Sequence, residues 1–130
     1  EFIELDLEIE DENLMKEVLK ELGYPFEEHD VATNLVGWLG DRRKQVANII
    51  VRKKNISSAS NDIGFLKKPN GKYELIISEY DRRAKHGSIF TQKFKQSYIT
   101  KLSQKELKKK GYKLKKQRVD EEGWIELRYS

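Results

Sequence analysis

Asp62-Ile63-Gly64-Phe65-Leu66 and Tyr73-Glu74-Leu75-Ile76-Ile77-Ser78-Glu79 flank Pro69-Asn70-Gly71-Lys72, and together they carry the strongest architectural signal in the chain. Asn-Gly tolerates the positive φ that a tight antiparallel connection demands. The stretch therefore reads as a β-hairpin. Gly64 inside the first strand predicts a bulge or a close approach by another part of the backbone.

Working towards the N-terminus, Val46–Arg52 is a further strand with a β-branched Ile49-Ile50-Val51 centre. Tyr24–Glu28 and Asn34–Leu39 are shorter strand candidates, with Gly40-Asp41-Arg42-Arg43 as a turn. Lys54–Asn61, with its Ser57-Ser58-Ala59-Ser60 run, reads as a polar loop. Phe2 to Ile9 alternates Ile3, Leu5, Leu7 and Ile9 against Glu4, Asp6 and Glu8, the period of a half-buried strand. Asp11 is positioned as the N-cap of a helix. Leu14, Met15, Val18, Leu19 and Leu22 share an arc of roughly 140° on it, and Gly23 and Pro25 end it.

Towards the C-terminus, Asp81–Gly87 reads as a charged loop and Ser88 as the cap of a second helix. Phe90, Phe94, Tyr98 and Leu102 recur every fourth residue along that helix. Ser103-Gln104-Lys105-Glu106 has capping-box spacing and predicts a bend or restart, and Gly111 closes the helical stretch. Lys113–Val119 and Trp124–Tyr129 read as a last hairpin about Asp120–Gly123. The sum is one α+β domain over residues 1–130, a mainly antiparallel sheet with two helices on one face. Gly23-Tyr24 and Gly37-Trp38 are echoed by Gly111-Tyr112 and Gly123-Trp124, which suggests a duplicated β-α-β-β unit.

Charged residues make up 37% of the chain, as much as the apolar residues, so a compact core must lie under a heavily ionised surface. With no cysteine, disulfides, thiolate metal sites and thiol nucleophiles are excluded. No apolar run approaches the roughly 18 residues needed to span a bilayer, and the acidic, alternating start is unlike a leader peptide. The expectation is an intracellular protein without membrane insertion.

The net charge of +4 conceals a segregation. Residues 1–30 hold twelve acids against Lys16 and Lys20, whereas residues 93–118 hold eleven bases against Glu106 alone. The bases are Lys93, Lys95, Lys101, Lys105, Lys108, Lys109, Lys110, Lys113, Lys115, Lys116 and Arg118, with Phe94, Tyr98 and Tyr112 among them. This segment is the candidate polyanion-binding surface, for RNA or single-stranded DNA. Three plainer readings stand beside it. The aromatics keep core spacing, the lysines form an ordinary solvated face, or the acidic segment neutralises the basic one within or between subunits.

Catalytic signals are sparse. His29 and His86 fall in expected loops without the helical spacing of a metal motif, so no metal or other cofactor is implied. Asp62 is the acid of most interest, but no nucleophile–base set accompanies it, and capping a turn is its simpler role. Gly37-Trp38-Leu39-Gly40 lacks the Lys-Ser/Thr of a phosphate loop. Core or hairpin packing is the default for Trp38 and Trp124.

The segments Asp62-Ile63-Gly64-Phe65, Asn70-Gly71 and Tyr73-Glu74-Leu75 form a recognisable series. They continue through Gln96 and Tyr98, Gly111-Tyr112, Val119, and Gly123 with Ile125 and Leu127, and are preceded by Leu22-Gly23 and Gly37-Trp38. In this order the chain resembles the hypothetical chloroplast reading frame thirty-five family of algal plastids and cyanobacteria, a domain of unknown function. The resemblance covers nearly the whole chain and implies a fold and a compartment, cytoplasm or plastid stroma, but no reaction. That family's second helix and following strand are commonly acidic, whereas here they are basic. The expected function is a small non-catalytic accessory domain working through a protein partner or self-association. The alternatives are a nucleic-acid-binding module using residues 93–118 and an enzyme with an unrecognised site.

Overall fold

The computed structural model describes residues 2–111, 114–119 and 125–129. Its elements are β1 (Phe2–Ile9), α1 (Glu12–Glu21), β2 (Glu27–Val36), β3 (Arg42–Val51), β4 (Ile63–Lys67), β5 (Tyr73–Ser78), α2 (Glu79–Arg83), α3 (Lys85–Lys109), β6 (Leu114–Val119) and β7 (Ile125–Tyr129). A single 3-10 turn, Lys53–Asn55, follows β3. Five strands form one antiparallel sheet in the order β1-β5-β4-β3-β2.

The 62–79 hairpin forms as expected. Phe65 faces Leu75 and Lys67 faces Tyr73 across the ladder, and Gly71 takes a φ of 83° in the turn. Strand β4 is central because its residues are buried on both faces, a position that the apolar Ile63-Gly64-Phe65 run suits.

Helices α1 and α3 share one face of the sheet. Asp11 caps α1 by accepting the Leu14 amide at 3.0 Å. Leu14, Met15, Val18 and Leu19 of α1 pack with Phe90, Phe94 and Tyr98 of α3 on Ile49, Val51, Ile63, Phe65, Leu75 and Ile77. The four-residue stripe of α3 brings Phe90, Phe94 and Tyr98 into a stacked column with centroid spacings of 6.1 and 5.9 Å.

Several expectations need correction. Residues 27–36 make one strand, not parts of two, and Arg42 and Arg43 begin β3 instead of closing a turn. Alternation is weak in β2 because it is an edge strand, largely exposed at its start, and its register against β3 breaks twice. Asn48 holds one irregularity: its Nδ2 donates to the carbonyls of His29 and Asp30, and its Oδ1 accepts the Lys67 amide. The charged 79–83 stretch is a short helix, not a loop, capped by Ser78, which accepts the Asp81 amide. Helix α3 starts at Lys85, three residues before the expected cap at Ser88, and runs without a break past Ser103. A capping-box spacing opens a helix only where the preceding backbone leaves the helical region, and here it does not.

The last hairpin pairs β6 with β7 as a separate two-stranded sheet. The two β-α-β-β runs are thus laid out differently: β2 and β3 share a sheet with β1, whereas β6 and β7 pair only with each other. Tyr112, Lys113 and the 120–124 connection with Gly123 and Trp124 lie outside the described residues.

Part of the sheet's other face is buried within the chain itself. Leu35, Ala47, Ile50 and Ile76 form a second buried cluster, with Leu66 against it. The end of β2 curls across β3 to reach β4: a Cβ at Gly64 would lie 2.5 Å from Ala47 Cβ and 3.0 Å from Leu35 Cδ2. Gly64 is there because no larger residue admits that crossing.

Candidate functional site

Asp62, just before β4, is 1% exposed and fully bonded. Its carboxylate accepts the Val36 amide at 2.7 Å, the Lys53 amide at 2.8 Å and Arg52 Nη1 at 2.8 Å. The Asp62 amide in turn donates to the Val36 carbonyl at 3.0 Å. A buried carboxylate with this set of donors clamps the end of β2 onto the start of β4. The turn-capping role expected of Asp62 is part of this larger clamp.

The rest of the Arg52 guanidinium grips Glu27 in a bidentate pair, Nε to Oε2 and Nη2 to Oε1, both at 2.8 Å. Those bonds hold the Glu27 carboxyl down to about 2, and Glu27 and Asp62 together raise Arg52 above its ordinary value. His29 lies on β2, not in a loop, with Nε2 2.8 Å from Glu27 Oε1. His86 is exposed in the first turn of α3. Among the described residues, no three His, Asp or Glu side chains gather closely enough to hold a metal ion.

A second buried cluster steadies the β2–β3 connection. Asp81 accepts the Asn61 amide at 3.0 Å and the Ser78 hydroxyl at 2.9 Å, and Asn61 Oδ1 accepts the Trp38 amide at 2.9 Å. From the other side, Lys53 Nζ donates to the Trp38 carbonyl at 3.0 Å. The backbone of Trp38 is thus pinned at both ends while the residue is 51% exposed and Leu39 is 73% exposed. This overturns core packing for Trp38. The signal for it was the pair of glycines, Gly37 and Gly40, bracketing two large apolar residues.

Beside this tip opens a cleft of about 630 Å³, lined in part by Thr33, Asn34, Val36, Arg42, Lys53 and Lys54. Arg42 Nη2 donates to Asn34 Oδ1 at 2.7 Å. Among the described residues, no acid forms an ion pair with Arg42, Lys53 or Lys54.

The basic segment is divided by the fold. Lys101 reaches Glu21 at 2.7 Å and Glu17 at 3.6 Å, Lys105 reaches Asp11 at 2.5 Å, and Lys109 lies 3.8 Å from Glu106. Lys105 holds Asp11 below the usual carboxylate range, and Glu21 and Asp11 raise Lys101 and Lys105. The acidic segment therefore meets part of the basic one within the monomer. Lys93, Lys95, Lys108 and Lys110 have no such partner among the described residues. Phe94 and Tyr98 are buried, so they offer no stacking surface. Lys115, Lys116 and Arg118 lie on β6, and Lys113 lies outside the described residues.

The described residues contain no helix long and apolar enough to cross a membrane. Comparisons with curated proteins and with solved structures give no match. A family of proteins of unknown function matches from within α1 to within β7, residues 18–128, and the chain therefore belongs to that family, DUF1257.

Proposed function

We propose that this domain is a non-catalytic accessory module that docks a protein partner through the Trp38–Leu39 tip of the β2–β3 hairpin. The observation that carries this reading is a large apolar pair held out on a braced turn. Exposing Trp and Leu together is unfavourable in water, and bracing their backbone removes the ordering cost that binding otherwise incurs. Tryptophan is among the residues enriched at the energetic centres of protein interfaces. The non-catalytic part rests on Asp62, which is committed to two backbone amides and Arg52; Asp81 gives one oxygen to Asn61 and Ser78, and its Oδ1 is buried without a partner among the described residues.

The test is capture from host extract on the immobilised domain, comparing the parent with Trp38→Ala and Leu39→Ser. Both variants should keep the parent's unfolding midpoint and lose the retained protein. Equal retention by all three would end the proposal. The ordered segments shared with the chloroplast reading-frame family support placing the chain in that plastid and cyanobacterial branch, and so inside a cell or plastid.

A second reading keeps the nucleic-acid alternative. Lys108, Lys109 and Lys110 lie exposed at the end of α3, and Lys115, Lys116 and Arg118 follow on β6. Binding to mixed RNA should then fall steeply with salt and weaken on charge reversal at Lys108, Lys109 and Lys110. No binding at low salt removes it.

A further inference from the structure

We infer that the cleft beside the tip receives an acidic segment of the partner protein, a step that rests on the docking reading above. Glu27 and Asp62 are the acids lining this cleft, and Arg52 holds both, at 2.8 Å in each case. What remains around it is cationic: Arg42, Lys53 and Lys54, with no acid paired to any of them among the described residues. Arg43, next along β3, shows the contrast, since Asp41 meets it at 2.8 Å.

Lys53 ties the two surfaces into one. Its Nζ bonds the Trp38 carbonyl while the residue lines the cleft. A ligand in the cleft thus meets these cations, and Lys53 joins that surface to the backbone of the Trp38–Leu39 tip. The complementary ligand carries carboxylates spaced along a chain with an apolar side chain among them. A polypeptide fits better than a phosphate chain. Thr33 and Asn34 belong to β2, the edge strand beyond β3, so an extended peptide can add main-chain hydrogen bonds there, up to Val36, whose amide and carbonyl Asp62 already holds. Leu39 offers an aliphatic contact that a nucleobase does not need.

Calorimetry on the intact chain tests the assignment, with a short glutamate-rich peptide carrying one leucine and one phenylalanine as the probe. A lysine version of the same peptide, a uridine oligonucleotide and phosphatidylserine vesicles complete the set. The acidic peptide should bind, and the lysine version should not. Lys54→Glu alone, and Arg42→Glu with Lys54→Glu, should each weaken the acidic peptide by about tenfold or more, without moving the unfolding midpoint. Trp38→Ala should weaken it as well. Equal binding of both peptides, indifference to the charge reversals, tighter binding of the oligonucleotide or vesicles, or no binding of the acidic peptide each overturns the inference. If extract capture depends on Trp38 while the acidic peptide fails, the docking reading stands and this inference alone falls. If neither responds to Trp38, both fall.

Discussion

Asp62 does its work where the end of β2 meets the start of β4. Its carboxylate satisfies two backbone amides and one face of Arg52, groups that would otherwise be buried unpaired. Asp62→Ala should therefore destabilise by about 3 kcal/mol, the scale of breaking a buried pair by removing one partner. Asp62→Asn should cost less, because one oxygen can still accept. Urea unfolding of the two variants checks this, and an Ala variant within experimental error of the parent would show that the clamp is dispensable. In the sequence Asp62 was visible only as an acid opening a strand. Its partners lie nine residues away at Lys53 and twenty-six away at Val36, and nothing in the local pattern links them.

Between α1 and α3 the joint is polar as well as apolar. Tyr98, the third aromatic of the α3 stripe, accepts the amides of Glu10 and Asp11 at 3.1 Å each through its hydroxyl. Tyr98→Phe keeps the ring and leaves those amides without their acceptor. The expected cost is about 1–2 kcal/mol, with faster amide exchange at the start of α1 than in β4. The β2 and β3 ends are joined by Glu27 and Arg52. Because the folded Glu27 carboxyl is lowered to about 2 from its ordinary 4.5, its contribution is complete above that ordinary value and is lost as pH falls through the window between them. Asp11 and Glu12, held down by Lys105 and Tyr73, act in the same sense. Thermal midpoints should decline as the pH drops below about 4.5, and Glu27→Gln should flatten part of that decline. An unchanged acid slope in that variant would remove Glu27 from the account. Elements with a repeated apolar period, α1, the 62–79 hairpin and the Phe90–Leu102 stripe, were legible beforehand. Helix α2 was not, since five mostly charged residues carry no period and depend on the Ser78 cap and the cluster around Asp81.

Across the whole molecule, part of the charge segregation of the sequence becomes internal pairing. Lys101 and Lys105 of α3 meet Glu17, Glu21 and Asp11, and Lys72 meets Glu8 and Glu10 across the β1–β5 edge. Lys101→Glu and Lys105→Glu together should lower the unfolding midpoint modestly at low salt, given the small worth of each exposed pair. Concentrated salt should recover most of it; a loss that salt leaves untouched would point to packing instead of charge. Hydrophobic periodicity and turn chemistry, read along the chain, already determined an α+β domain with two helices over one face of an antiparallel sheet. Those signals are local, so they survive without knowledge of any distant neighbour. The tertiary structure alone decided that β2 curls onto β4, that the last hairpin pairs apart, which lysines lose their freedom to acids, and that Trp38 faces solvent. Each of these depends on groups far apart in sequence meeting in space, and no period or spacing records such a meeting.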